Sequence, residues 1–211
     1  MAIVKEDIAL TIEKAIAGDN SAFETIFNIY WNMAYFYCFK YLNNKSEAEE
    51  AAQDAFFALS RNISKLNDPR SFKAYFLRIL TNTCHNVNKS RKNKNYKMML
   101  STDDFVRTLA EEREEFLPEA AMKQQEFKNE IISHIDSLPS KQREVMLLHF
   151  LNGLSQAEIA QVLDVKPSIV GNRLFHAKAS LKQKLEKNGK AEVSCLVQHR
   201  LLWLPRLCWK K

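Results

Sequence analysis

Four glycines and five prolines in 211 residues leave this chain little with which to build tight turns. Glycine supplies the positive φ that tight hairpin corners need, and proline presets turn geometry. A β-sandwich or barrel calls for such a corner about every 8–12 residues, so the composition disfavours those folds and favours a helical protein. With 46% hydrophobic and 27% charged residues there is apolar material for one core or two modest ones, which also excludes global disorder. The expected fold class is all-α.

Apolar residues recur at helical spacing. Between Ser21 and Leu42 they fall at Phe23, Ile26, Phe27, Tyr30, Ala34, Tyr37, Cys38 and Tyr41, the gaps of three and four that make one helix face. Gly18-Asp19-Asn20 separates this helix from an earlier one over about 7–17. After the break at Asn43-Asn44-Lys45, Ser46 and Glu49 read as a capping box opening a helix to about Ser64. Its inner stripe is Ala48, Ala51, Ala52, Ala55, Phe56, Leu59 and Ile63. Glu47, Glu49, Glu50 and Asp54 gather near its start without a base among them. Acids there suit the helix dipole, and four on one exposed end also make a docking surface.

Asn67-Asp68-Pro69-Arg70 reads as a turn and Ser71 as the next cap. Phe72, Phe76, Ile79, Leu80, Thr83 and Val87 mark the expected buried face; Lys73, Arg78, Asn82, His85, Asn86 and Lys89 lie on the other. Lys89, Arg91, Lys92, Lys94 and Lys97 then follow with no acid. A basic run is usually solvated surface, but here it continues the polar face of an aromatic-rich helix, a combination suited to single-stranded nucleic acid. From Ser101 to Glu130 nine acids meet four bases, with Pro118 interrupting, which reads as a flexible linker between two domains.

The helical pattern returns with Phe127, Ile131, Ile132, Ile135 and Leu138, ended by Pro139. Ser140 opens a helix through Val145, Leu148 and Leu151, closed by Asn152-Gly153. Ser155 and Glu158 form another capping box, for a short helix burying Ile159, Ala160 and Leu163. Asp164-Val165-Lys166 turns the chain into a longer helix from Pro167, burying Val170, Leu174 and Ala177. A short helix, a tight turn and a second helix match a helix-turn-helix, whose second helix enters the major groove. Its outward residues are Ser168, Ile169, Asn172, Arg173, His176 and Lys178. Asn172 and Arg173 are the best base readers, since Asn can bond adenine and Arg guanine in two places.

The net charge of +6 permits a polyanionic partner. No phosphate-binding loop, dinucleotide fingerprint, zinc-protease or nucleophile-elbow motif occurs, so no catalytic residue and no cofactor are assigned. Cysteines 38, 84, 195 and 208 lack the spacing of a disulfide framework or zinc ribbon and suit a reducing cytoplasm. Cys195, His199 and Cys208 match no familiar metal site, and no metal is expected. His149 beside Phe150 reads as a satisfied core or boundary histidine. The N-terminus is amphipathic and acid-bearing, unlike a secretory leader, and no apolar run approaches a bilayer span.

Two blocks carry a resemblance. AGDNSAFETIFNIYWNMAYFYC (17–38), SEAEEAAQDAFFAL (46–59) and SFKAYFLRILTNTCHNVNKSRK (71–92) resemble region 2 of the sigma-70 family of bacterial RNA polymerase sigma factors. LPSKQREVMLLHFLNGLSQAEIAQVLDVKPSIVGNRLFHAKASL (138–181) resembles its region 4, and the order and separation are those of the small extracytoplasmic-function type. The resemblance implies a region 2 helical bundle at 8–95, a linker at 96–127, a region 4 helix-turn-helix at 128–188, and a tail at 189–211 that fits no family pattern. It implies a cytoplasmic, non-enzymatic transcription initiation factor with no small-molecule substrate, which needs no ATP. Core RNA polymerase, through its β′ clamp helices, would be bound by Glu47, Glu49, Glu50, Gln53 and Asp54. The −10 promoter element would be read and opened by Asn67, Arg70, Ser71, Lys73, Tyr75, Arg78, Asn82, His85, Asn86 and Lys89. The −35 element would be read by the outward residues of the 167-onward helix, and family members are often held by an anti-sigma factor.

This chain departs from the pattern at Gly171, where a basic residue is common, at Phe175, where histidine is common, and at Asp164, which replaces the turn glycine. Asp tolerates left-handed backbone geometry better than most residues. The tail segment LVQHRLLWLPRLCWKK admits a partner-binding or membrane-surface role, but the bland reading of a tail without its own role is preferred. The alternative for the whole chain is a conventional helix-turn-helix repressor or activator with an N-terminal dimerisation or sensing domain. Such a protein binds a palindrome alone, whereas a sigma factor requires polymerase.

Overall fold

A computed structural model describes residues 5–93 and 131–187. Every regular element among them is helical, and the helices fall into two compact units, one before residue 94 and one holding the bulk of those after residue 130. The expected linker, the tail with Cys195, His199 and Cys208, and Phe127 lie outside the described residues.

In the first unit, α1 (Lys5–Ile16) packs on α2 (Asn20–Leu42), and α2 packs on both α3 (Lys45–Asn62) and α4 (Phe72–Asn93). The breaks fall where the sequence placed them. Gly18 takes φ +95°, and Asp19 caps α2 by accepting the N–H groups of Ser21 and Ala22 at 2.9 and 3.2 Å. Asn43 closes α2 in the left-handed region. Two caps differ from expectation. Asn44 rather than Ser46 starts α3, its side chain accepting the Glu47 N–H at 3.1 Å, because Asn44 holds the extended backbone immediately before Lys45, whereas Ser46 is already helical. Asp68 rather than Ser71 organises the turn before α4. It accepts the Arg70 N–H at 2.9 Å, while the Ser71 hydroxyl donates to the Asp68 carbonyl.

The alanine-rich stripe of α3 is buried as expected, through Phe56, Leu59 and Ile63. Small residues there let α2 and α4 approach closely. The inner face of α4 is rotated from the expected one: Leu77, Thr81 and Cys84 are buried with Phe72, Phe76 and Leu80, whereas Ile79, Thr83 and Val87 are half-buried. The reason is that α4 packs on two helices, α2 and α3, so its covered arc extends round the side of Thr81. Thr81 donates to the Leu77 carbonyl at 2.7 Å, so the buried Tyr37 hydroxyl donates to Thr81, at 2.8 Å. Cys84 and Cys38 stand beside each other as free thiols, 3.6 Å apart. Phe23, Phe27, Tyr30 and Tyr41 of α2 are only half-buried; Met33 and Phe39 take interior places instead. Phe56 is the centre of an aromatic cluster with Phe27 and Phe76, at ring separations of 4.7 and 4.8 Å.

In the second unit, helical residues 131–136 bury Ile131, Ile132 and Ile135, and Leu138 follows. Helix α5 (Ser140–Met146) follows Pro139 and widens into a π-helical turn over Leu147–Leu151. Gly153, at φ +68°, lets the chain leave that turn, and its N–H donates to the His149 carbonyl at 3.0 Å. The Ser155–Glu158 capping box is present: Ser155 N–H reaches the Glu158 carboxylate at 2.8 Å and Glu158 N–H reaches Ser155 Oγ at 3.3 Å. It opens α6 (Gln156–Leu163), which buries Ile159, Ala160 and Val162. Leu163 is only half-buried, because the chain turns away at Asp164, whose φ of +52° is the left-handed geometry expected of it. Helix α7 (Pro167–Lys187) faces inward at Val170, Leu174, Ala177 and Leu181, and packs on α5.

Candidate polymerase and promoter surfaces

Helix α3 divides cleanly into two sides. Its alanines and Phe56 point into the bundle; Glu49, Glu50, Gln53 and Asp54 are exposed on the other side. Phe57 joins them with 65% of its surface open to solvent. It stands three residues after Asp54 and four after Gln53, so it belongs to the same face. Sequence reasoning missed it by treating the Phe56-Phe57 pair through its buried member, although the spacing from the acids carried the signal. Glu47 differs from its neighbours. It is half-buried and forms an ion pair with Arg91 of α4, whose other nitrogen donates to the Leu42 carbonyl at 2.8 Å. Partial burial lowers the Arg91 pKa from its ordinary value.

The side of α4 away from the bundle presents Arg78, Asn82, Asn86 and Lys89, all exposed and spaced near one helical turn apart. Asn67, Arg70 and Ser71 are exposed on the preceding turn. Lys73, Tyr75 and His85 are half-buried. Tyr75 donates to the Asn62 carbonyl at the end of α3, at 2.9 Å, and His85 lies against the Tyr41 ring at 5.7 Å. Burial raises the Tyr75 pKa and nearby Arg78 opposes that, so the hydroxyl remains a donor. Acids on α3 and bases on α4 thus form two surfaces of opposite sign on one bundle.

In the second unit, Ser168, Ile169, Asn172 and His176 are exposed on α7, and Arg173 and Lys178 are half-buried beside them. No acid occurs between Pro167 and Lys184, so this helix presents only neutral and basic groups over that length. Phe175 is 70% exposed between Arg173 and His176. Sequence reasoning met it only as a departure from pattern, yet its outward place adds an exposed apolar ring to this face of the helix. Gly171 lies near α6: a Cβ there would meet only the Gln156 side-chain oxygen, at 3.4 Å. Among the described residues no cluster of three His, Cys, Asp or Glu side chains could hold a metal, and no helix is long and apolar enough to cross a membrane.

A bundle with an acidic helix and a basic-aromatic helix, together with a helix-turn-helix, defines a sigma-70-type transcription factor. Family profiles agree: sigma-70 region 2 matches residues 26–94, and sigma-70 region 4 matches 128–181. The chain is 31% identical over 178 residues to the ECF RNA polymerase sigma factor SigW of Bacillus subtilis, covering 82% of this chain and 94% of that protein. It is 24% identical to the RNA polymerase sigma-H factor of Pseudomonas aeruginosa, covering 87% and 96% of the two chains. Among solved structures, CnrH in complex with the cytosolic domain of CnrY matches with a TM-score of 0.58 at 20% identity, covering 85% of this chain and 97% of that one, which supports the fold. The chain belongs to the extracytoplasmic-function group of sigma factors: it is a transcription initiation factor that directs RNA polymerase to promoters. The repressor alternative is not favoured.

Proposed function

We propose that the first unit performs two tasks on two faces. Glu49, Glu50, Gln53, Asp54 and Phe57 dock the β′ clamp helices of core polymerase, and Asn67, Arg70, Ser71, Arg78, Asn82, Asn86 and Lys89 engage the −10 element. The single observation behind this is the segregation of exposed charge: Glu49, Glu50 and Asp54 stand together in the middle of α3, with the bases Lys45 and Arg61 only at its two ends, and α4 carries bases and no acid. Acids attract the basic side chains of a partner helix, and a central exposed aromatic supplies the apolar contact that anchors such interfaces. Tyr75 and His85 stand half-buried on the same helix as the bases. An opened strand loses about a few kcal/mol of stacking per base, which binding on aromatic side chains offsets.

In the second unit, Ser168, Ile169, Asn172, Arg173, Phe175, His176 and Lys178 read the −35 element as duplex. The unit boundaries at 8–95 and 128–188, a cytoplasmic site of action beside polymerase, the absence of an enzymatic activity, and an anti-sigma factor as regulatory partner complete the reading. Run-off transcription with purified core polymerase on a promoter library tests it. The full chain yields transcripts from a defined promoter class, and reversing charge with Glu49→Lys and Glu50→Lys lowers core affinity while the far-ultraviolet dichroism stays that of the parent. Binding to a palindrome without polymerase, or unchanged core affinity in that variant, overturns the proposal.

A further inference from the structure

Arg91 belongs to the basic run that the sequence assigns to nucleic acid, yet its guanidinium turns back into its own bundle. One nitrogen donates to the Leu42 carbonyl at the end of α2, and the other pairs with Glu47 in the first turn of α3. Between those two points lies the corner made by Asn43 in left-handed geometry and Asn44, whose side chain accepts the Glu47 N–H. One planar cation therefore ties both sides of the α2–α3 corner to α4. A guanidinium carries several N–H donors in a fixed fork, so it can hold a carbonyl and a carboxylate at once; a lysine ammonium lacks that directionality. The two side chains are only 28% and 30% exposed, so solvent screens the pair in part rather than fully.

We infer that Arg91 is a positioning residue: it draws Glu47 out of the polymerase-docking face and holds the first turn of α3 on α4, fixing the acids that follow relative to the promoter-facing side of the same bundle. The inference rests on the reading that α3 docks core polymerase. Glu47 then meets Arg91 rather than a polymerase side chain, and Arg91 contributes no phosphate contact despite its place in the basic run. Docking and promoter engagement are joined mechanically at this corner, since a shift of the first turn of α3 is felt at the end of α4.

The test uses the full chain carrying Arg91→Ala, Glu47→Gln, both together, or the exchange Glu47→Arg with Arg91→Glu. Core-polymerase affinity and the salt dependence of holoenzyme–promoter binding are measured for each. Each single substitution is expected to lower core affinity about two- to fivefold, the range of a partly exposed ion pair. The double substitution lowers it no further than the larger single one, and the exchange recovers part of the loss. Arg91→Ala leaves the slope of log affinity against log salt unchanged, whereas Lys89→Ala reduces that slope by about one. Additive losses, or a reduced slope with Arg91→Ala, overturn the inference. Glu49→Lys with Glu50→Lys is the control for the docking reading. If it leaves core affinity untouched, that reading fails, and the same cycle is scored in urea unfolding of the full chain. Coupling between positions 47 and 91 there upholds the positioning role, and its absence removes it.

Discussion

The imidazole of His149 donates from Nδ1 to the Leu154 carbonyl at 2.9 Å, across the corner that leads into α6. Burial lowers its pKa from 6.5; the hydrogen bond opposes this and the charge of Lys178 adds to it. The folded state thus resists a proton that the unfolded chain accepts. The stability His149 contributes is present above about pH 6.5 and is lost as pH falls through the lower folded value. Urea unfolding of the parent should show stability falling as pH drops below about 6.5, and His149→Asn should flatten that fall. An equally steep loss in the variant assigns the pH dependence to another group. Arg173 poses a different question at the same scale. Arg173→Ala should cost roughly 1–3 kcal/mol at one −35 position if the guanidinium reads a base, and weaken all sequences evenly if it meets phosphate alone. Affinities on single-position promoter variants separate the two.

Among the helices, α7 carries the clearest local conflict. Gly171 sits inside a helix of 21 residues, where glycine is less favourable than alanine by about 1 kcal/mol. A Cβ at this position meets only the flexible end of Gln156, in ordinary van der Waals contact. Gly171→Ala is therefore expected to stabilise the second unit by up to about 1 kcal/mol, read as a raised urea midpoint with an unchanged slope. A lowered midpoint means that Gln156 cannot give way. The helices themselves were legible because apolar spacing of three and four is a local property. The stripe of α3 and the inward residues of α7 followed directly from it. Helix starts were less legible. Ser46, Asn44, Ser71 and Asp68 can all cap, and which of them does so depends on where the preceding helix lets go of the chain.

On the scale of the whole molecule, the division into a two-faced bundle and a reading helix predicts two kinds of transcription defect. Glu49→Lys with Glu50→Lys should depress run-off from every promoter by a similar factor, because polymerase capture precedes any choice of sequence. Arg173→Ala, where it reads a base, should instead change the rank order of promoters. A rank-order change among −35 variants caused by the α3 variant would mean that docking by the first unit and −35 reading by the second are not separate tasks. Sequence alone determined the all-α class, the helix-turn-helix, the inner stripe of α3 and the inward residues Val170, Leu174 and Ala177 of α7, since each is written in spacing within a few turns of one helix. Tertiary structure alone decided that Cys38 meets Cys84 across 46 positions, that Tyr37 bonds Thr81 across 44, and that Arg91 turns from the basic run to Leu42 across 49. No local period encodes those pairs. They arise because α4 is packed against two helices at once, and only the packed bundle settles which polar side chains on its flanks turn inward and which remain for a partner.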